Sequence, residues 1–187
     1  RQEKVKDILM KIVGPFPPKT PLNAKITNIA QKNGFRIEKI IYESMPDFFV
    51  TACLFIPDGI TDKTPAIIHV SGHSELAFRD KPYQVVILNL VKKGFIVFAI
   101  DPVGQGERLQ YYDPEKKKSS IGGPTAEHSY VGNQCFMSGV SIARYFIWDV
   151  LNRPYGGLKR FDDMKLPASS ISLKYSVLSI CHPFKWL

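Results

Sequence analysis

The spacing of apolar residues predicts a short helix followed by a pair of strands in the first third of the chain. Apolar side chains recur at helical spacing until a Gly-Pro stretch at residues 14–18, namely Val5, Ile8, Leu9 and Ile12. The runs Phe35–Ile41 and Phe48–Ile56 are strand-like, and turn residues lie between them. We therefore expect an N-terminal helix and then an antiparallel pair of strands.

The middle of the chain predicts a strand, a corner, a helix and a second strand. An apolar run ends in the glycine-containing corner of TPAIIHVSGHSE, and Tyr83–Lys93 follows with apolar residues suited to a helix on a sheet. Gly94 stops this helix before the apolar run of KKGFIVFAID. Two uninterrupted apolar strands separated by a helix favour a parallel sheet that is buried on both faces.

The last part of the chain predicts one more helix and then a change of character. Gly139–Leu151 is amphipathic, and its expected buried face consists of Ile142, Tyr145, Phe146 and Val150. Residues 154–187 hold one strand-like run, Ile171–Ile180, without a glycine-rich corner or a further crossover helix. We expect the N-terminal part of a domain at residues 1–153 and a divergent or aberrant tail at residues 154–187.

Composition and charge exclude several classes of protein. The 187 residues are 44% hydrophobic and 22% charged, which is typical of a globular domain, and no apolar stretch is long enough to span a membrane. The net charge of +8 comes from scattered basic residues with one run, Lys116–Lys118, so a nucleic-acid partner is not expected. The odd number of cysteines at irregular spacing, Cys53, Cys135 and Cys181, favours ordinary thiols.

Two glycines after the second apolar strand raise the question of a nucleotide-binding loop. Gly104 and Gly106 are followed by Leu109 where a dinucleotide fingerprint needs its third glycine, and no helix begins there. The sequence also lacks a G-K-[ST] phosphate loop. His69 and His73 are four residues apart but straddle a strand end, so zinc geometry does not follow. We expect neither a cofactor nor a metal ion.

The two corners themselves carry a family resemblance. VSGHSE (residues 70–75) and DPVGQGER (residues 101–108) end two parallel strands and so face one edge of the sheet. An H-G corner followed by D-x-x-G-x-G, here Asp101, Gly104 and Gly106, resembles the α/β-hydrolase superfamily. The segments GHSELAFRDKPYQ, DPVGQGERLQYYD and EHSYVGNQCFMSGVSIARYFIWD are similar to acetyl xylan esterase-like and glycan-associated esterase-like hydrolases, over residues 8–152.

The resemblance implies a fold, a reaction and an incomplete catalytic apparatus. The fold is the α/β-hydrolase three-layer sandwich with a mostly parallel sheet, incomplete here at its C-terminal side. The reaction is serine-type ester hydrolysis through a G-x-S-x-G elbow, then an acid, then a histidine. The sequence has no such elbow, and three serines considered as nucleophile lack its strand-turn-helix context, namely Ser74, Ser138 and Ser141. We therefore expect weak or no activity and favour truncation as the origin of the tail.

The sequence leaves two other functions open. The chain could be a non-catalytic glycan-binding or scaffold module with a hydrolase-derived fold, and its charge alone leaves room for a nucleic-acid-binding domain. The resemblance implies a small-molecule or glycan ester as substrate and a periplasmic or secreted location. It leaves the acyl group, the alcohol and the oligomeric state undetermined.

The candidate site residues come from the same corners. Backbone amides at Gly72, His73 and Ser74 are candidates for an oxyanion hole, and a simple tight turn is the alternative. Glu107 and Arg108 are candidates for substrate contact or for a structural ion pair. His128 is a candidate for substrate contact, and the pair Glu127-His128 suggests either an acid–base couple or a loop hydrogen bond. His69 is expected to be a core histidine.

Overall fold

The computed structural model describes residues 1–61 and 64–152. This part contains four α-helices, a 3-10 turn and seven strands. Their order is α1 (Gln2–Val13), β1 (Lys25–Lys32), β2 (Phe35–Met45), β3 (Phe48–Pro57), β4 (Ala66–Val70), the 3-10 turn (Ala77–Arg79), α2 (Lys81–Lys92), β5 (Ile96–Ile100), β6 (Tyr112–Asp113), β7 (Lys118–Ser119), α3 (Pro124–Met137) and α4 (Ile142–Leu151). The predicted strand Ile171–Ile180 and the predicted tail lie outside the described residues.

The main sheet is mixed and has the strand order β1-β2-β3-β5-β4. Strands β4 and β5 are parallel, with Ala66 opposite Ile96 and Val70 opposite Ile100. The other three pairs are antiparallel, including the predicted pair β2 and β3. The α/β class is confirmed, and so is the parallel arrangement of the two strands that carry the corners.

Helices cover both faces of this sheet. One face packs its apolar side chains against α2 and the 3-10 turn, with a cluster of Cys53, Phe55, Phe78, Ile87, Val91, Val97 and Ala99. On the other face, α4 is fixed to β2 by hydrogen bonds from Tyr42 Oη to the Asp149 carbonyl (2.7 Å) and from the Trp148 indole to the Ser44 carbonyl (2.7 Å). The described part therefore has the three layers of a sandwich.

The helices differ in detail from the prediction. The apolar side of α1 is 47–62% exposed at Val5, Ile8, Leu9 and Ile12. Helix α4 begins at Ile142, where Ser141 caps its first turn, and its fully buried side chains are Trp148 and Asp149. Helix α3 was not predicted, because its residues do not segregate into an apolar and a polar face. No helix within the described residues is long and apolar enough to cross a membrane.

Candidate active site

The two corners that follow β4 and β5 are joined by direct hydrogen bonds. The side-chain carbonyl of Gln105 accepts a hydrogen bond from the Ser74 N–H at 2.7 Å, and Gln105 is almost fully buried. The Gly106 N–H donates to the Glu75 carbonyl at 3.2 Å. Because one bond uses a buried side chain and the other is between backbones, the relative position of the corners is fixed.

Asp101 is the centre of the second corner. Its carboxylate is 0% exposed and accepts from Arg79 Nη1 at 2.8 Å on both oxygens, and from Thr51 Oγ1 at 2.6 Å. The Glu107 N–H adds a longer bond at 3.3 Å. A buried carboxylate needs such partners, and here they tie the 3-10 turn, β3 and the second corner together.

The two glycines of this corner permit close packing against protein groups. Gly104 and Gly106 have φ values of +77° and +58°. A Cβ at Gly106 would lie 2.5 Å from Asp101 Oδ1, and one at Gly104 would lie 2.9 Å from Glu127 Cβ. The glycines therefore bring the loop against Asp101 and against α3.

The backbone amides of the first corner differ in whether they are hydrogen-bonded. The Ser74 N–H is taken by Gln105, while its hydroxyl donates to Asp80 Oδ2 (2.9 Å) and accepts from the Leu76 N–H (3.2 Å). Within residues 1–61 and 64–152, no hydrogen bond engages the N–H of His73. The N–H of Gly72 has no hydrogen bond within the described residues either, so the amides of Gly72 and His73 are the available ones among the three candidate oxyanion donors.

A pair of histidines connects the first corner to α3. His128 Nε2 lies 2.7 Å from the Val103 carbonyl, so it carries a hydrogen, and His128 Nδ1 lies 2.9 Å from His73 Nε2. Burial lowers the pKa of His128, and the backbone hydrogen bond to Val103 opposes this, while the neighbouring His73 lowers the pKa further. A neutral His128 accepts at Nδ1, so His73 donates from Nε2 and keeps a lone pair on Nδ1.

Glu127 does not act together with its neighbour His128. Its carboxylate is fully buried and accepts from Ser119 Oγ (2.5 Å), the Gln110 N–H (2.9 Å) and the Tyr111 N–H (3.3 Å). All three donors belong to the loop and short hairpin between the second corner and α3. Glu127 therefore fixes this loop, which is the hydrogen-bonding alternative raised by the sequence.

Glu107 and Arg108 pair with other residues and not with each other. The side chain of Glu107 is 64% exposed and lies 3.4 Å from Arg79 Nη2. Arg108 is 5% exposed, and its guanidinium bonds Asp149 Oδ2 (2.7 Å) and the carbonyls of Phe49 and Asp101 (2.9 Å each). Arg108 thus has a structural ion pair. Substrate contact by Glu107, Arg108 or His128 stays a prediction.

The serines considered as nucleophile are bonded to groups other than histidine. Ser138 Oγ donates to the Gln134 carbonyl at 2.9 Å, and Ser141 Oγ accepts from the Ala143 N–H at 3.2 Å. Ser74 Oγ is bonded to Asp80. Within the described residues, none of the three is bonded to a histidine, the base that activates the serine in a Ser–His pair.

Other titratable groups are buried without a catalytic partner. His69 packs against Tyr83, and burial lowers its pKa to about 4. Burial raises the pKa of the Cys53 thiol to about 11 and also raises that of Cys135. No cluster of three or more His, Cys, Asp or Glu residues that could hold a metal ion occurs in the described parts of the chain. Cys181 and His182 lie outside the described residues.

Three residues that shape the site were not singled out from the sequence, namely Arg79, Gln105 and Asp80. Each acts on a partner that the fold brings close, at a sequence separation of 22, 31 and 6 residues respectively. An acidic residue directly after a buried strand, such as Asp101, was the available signal that a basic partner is needed nearby.

Comparison with known proteins gives one family and several solved structures of similar fold. Residues 1–120 match the model of the Abhydrolase family. A protein of Bacteroides fragilis proposed to be an acetyl xylan esterase is similar in structure, with a TM-score of 0.60 and 22% identity over 81% of this chain and 40% of that chain. Acetyl xylan esterase 1 of Thermoanaerobacterium sp. has a TM-score of 0.47 and 18% identity over 78% of this chain and 48% of the other.

These comparisons also show how much of the related structures the chain covers. It spans less than half the length of both, while the likeness to the Bacteroides structure extends over most of this chain. No curated protein matches the chain. The structural likeness shows the fold of the described part.

Proposed function

The chain belongs to the Abhydrolase family, and from this premise we propose that it is a relative of serine-type carboxylic ester hydrolases whose joined corners form the acyl-binding side of an ester site. The observation that supports this most directly is the unbonded N–H of His73, in a corner held by the bond from Ser74 to Gln105. The fold draws an oxyanion donor from the loop after this strand.

In such a site the backbone N–H stabilises the negative charge that develops on the carbonyl oxygen of the ester. An amide that is already fixed gives this stabilisation without reorganising during the reaction. The Gln105 side chain fixes the following residue, Ser74, and the histidine pair fixes the ring of His73. We therefore assign His73 to the oxyanion position through its backbone and to substrate contact through its Nδ1 lone pair.

The proposed substrate is a carbohydrate ester, with acetyl as the acyl group. This choice rests on the name given to the Bacteroides protein, which has the same fold over most of this chain. The choice of a carbohydrate ester is also supported by the three sequence segments that resemble glycan esterases and occur in the expected order. We propose that the chain turns over such esters weakly or not at all, because the sequence has no G-x-S-x-G elbow.

The test is ester hydrolysis by the purified chain with p-nitrophenyl acetate and with acetylated xylan. We expect no more than background turnover and no change in Ser74→Ala, whose lost bond to Asp80 should lower the stability by about 1 kcal/mol. Clear turnover that Ser74→Ala abolishes would place the nucleophile at Ser74 and contradict the proposal.

A second candidate is a glycan-binding or scaffold module without catalysis. The observation in its favour is that the Ser74 hydroxyl, the one closest to the corner in sequence, is occupied by Asp80. Calorimetry with acetylated xylo-oligosaccharides separates the two functions. Binding without release of acetate would favour the module, and the absence of binding would count against it.

A further inference from the structure

A polar cavity of about 300 Å³ lies beside the second corner and is not part of the oxyanion region. It opens above β1, β2 and β3, and the Arg79–Glu107 pair forms its wall toward the corner. Other side chains that line it are Thr27, Asn28, Lys39 and Thr51. The volume is at the lower end of the range for small-molecule sites.

A β-bulge helps to form this cavity. The register between β1 and β2 shifts between Ile26 and Asn28, which leaves Thr27 without a partner in the ladder. The Thr27 hydroxyl instead donates to the Lys39 carbonyl at 3.4 Å. A bulge bends its strand and redirects side chains, and here it turns polar groups of β1 toward the cavity.

The lining combines an uncharged floor with hydrogen-bonding groups on the rim. Ile41 and Cys53 form the floor, because they share the face of the sheet on which Lys39 and Thr51 lie. The Cys53 thiol stays protonated near neutral pH because burial raises its pKa to about 11. The rim offers hydroxyl, amide, ammonium, guanidinium and carboxylate groups. This mixture fits a molecule with an apolar face and several hydroxyls at its edge.

The charges on the rim argue against a phosphate. Arg79 is already bonded to Asp101 at 2.8 Å and lies 3.4 Å from Glu107, so its charge is balanced. A phosphate would also face the exposed carboxylate of Glu107. Lys39 has no ion pair within the described residues, and a single ammonium suits a hydroxyl or ring oxygen as acceptor.

We propose that this cavity binds one sugar residue of the glycan that carries the ester, as a subsite adjacent to the corner. The proposal rests on the proposed function for its choice of a carbohydrate. Glu107 accepts a hydrogen bond from one sugar hydroxyl and Arg79 donates one to another, while Lys39 and Asn28 contact the opposite edge of the ring. The pyranose CH groups lie on the floor.

The experiment is an NMR titration of the ¹⁵N-labelled chain with unacetylated xylotetraose. We expect shifts in the amides of Thr27, Asn28 and Thr51, with a dissociation constant on the order of 1 mM. Lys39→Met and Asn28→Ala alter exposed side chains and should each raise that constant by about fivefold. Lys92→Met, an equally exposed change at the far end of α2, should leave it unchanged.

The outcomes separate this subsite from the catalytic proposal. Shifts confined to the corner around His73, equal binding by Lys39→Met, or no binding of the sugar would each overturn the subsite. Because the sugar carries no ester, failure of the chain to hydrolyse esters leaves the titration unaffected. If the cavity binds the sugar and the chain also hydrolyses esters, only the proposed inactivity is contradicted.

Discussion

The rings of His73 and His128 share one hydrogen bond, with 2.9 Å between His73 Nε2 and His128 Nδ1. His73 belongs to the first corner and His128 to α3, so this bond connects the strand end to the helical layer. The second nitrogen of His128 is held by the Val103 carbonyl at 2.7 Å. The Val103 carbonyl accepts from His128 Nε2, and His128 Nδ1 accepts from His73 Nε2. Each neutral ring therefore has one tautomer, with its hydrogen on Nε2.

We predict that each ring, when neutral, carries its hydrogen on Nε2. Long-range ¹H–¹⁵N spectra of the imidazoles would show this directly. In His128→Phe, which keeps an aromatic ring beside Phe146, His73 should lose its acceptor and show a mixture of tautomers. A His73 ring that carries its hydrogen on Nδ1 in the unmodified protein would contradict the prediction.

Stability should fall with acid because of His69. Its pKa is about 4 in the folded chain, below its ordinary value of 6.5, because burial disfavours the charged ring. Between pH 6.5 and 4 the unfolded chain binds a proton that the folded chain does not, so this contribution is complete above pH 6.5 and is lost as the pH falls. The loss is at most about 3 kcal/mol.

The measurement for His69 is urea unfolding at neutral pH and near pH 4. His69→Phe keeps an aromatic contact with Tyr83. Between neutral pH and pH 4 its free energy of unfolding should fall by about 1–3 kcal/mol less than that of the unmodified protein. The lowered pKa of His128 acts in the same direction, so part of the acid sensitivity should persist. An identical loss in both proteins would show that His69 does not titrate as proposed.

Breaking the buried pair of Arg108 and Asp149 should destabilise the fold strongly. The two groups are 2.7 Å apart, with side chains 4% and 1% exposed, and burial raises the pKa of Asp149 although Arg108 opposes this. Arg108→Met should lower the free energy of unfolding by about 3–5 kcal/mol, because the carboxyl group loses its partner. Adding Asp149→Asn should recover part of this loss in urea unfolding. Additive losses in the double variant would exclude coupling of the pair.

Gly106→Ala should cost more stability than Gly94→Ala. Both glycines have positive φ, and an added Cβ meets nothing within 4 Å at Gly94 but lies 2.5 Å from Asp101 Oδ1 at Gly106. The backbone cost alone is about 1–2 kcal/mol. At Gly106 the displaced Asp101 should add about 1–3 kcal/mol more. Thermal or urea unfolding of both variants measures the difference, and equal losses would show that Asp101 tolerates the displacement.

The sequence predicted the unit of β4, α2 and β5 from its apolar runs. Strand β5 is buried at every position, and its apolar run identifies it without any tertiary information. The order of strand, helix and strand then implies the parallel pairing with β4. Strand β1 was not predicted, because it is an exposed outer strand whose polar and apolar residues show no alternation of burial.

The site was predicted in location but not in its internal bonds. A glycine-containing corner after each strand indicates where the working loops lie. The contact between His128 and His73 joins residues 55 apart in sequence, and it depends on α3, whose apolar residues show no helical periodicity. The role of Glu127 likewise depends on a loop that the fold places over it.

The position of β5 between β3 and β4 also constrains how the chain can acquire its sheet during synthesis. Strands β2 and β3 form a hairpin that can pair as soon as both leave the ribosome. Strand β4 emerges next but pairs with none of the earlier strands, because its neighbour β5 is made only after α2. A nascent chain that stops before β5 therefore presents an apolar hairpin and a lone strand, which are the features that chaperones recognise and that lead to aggregation.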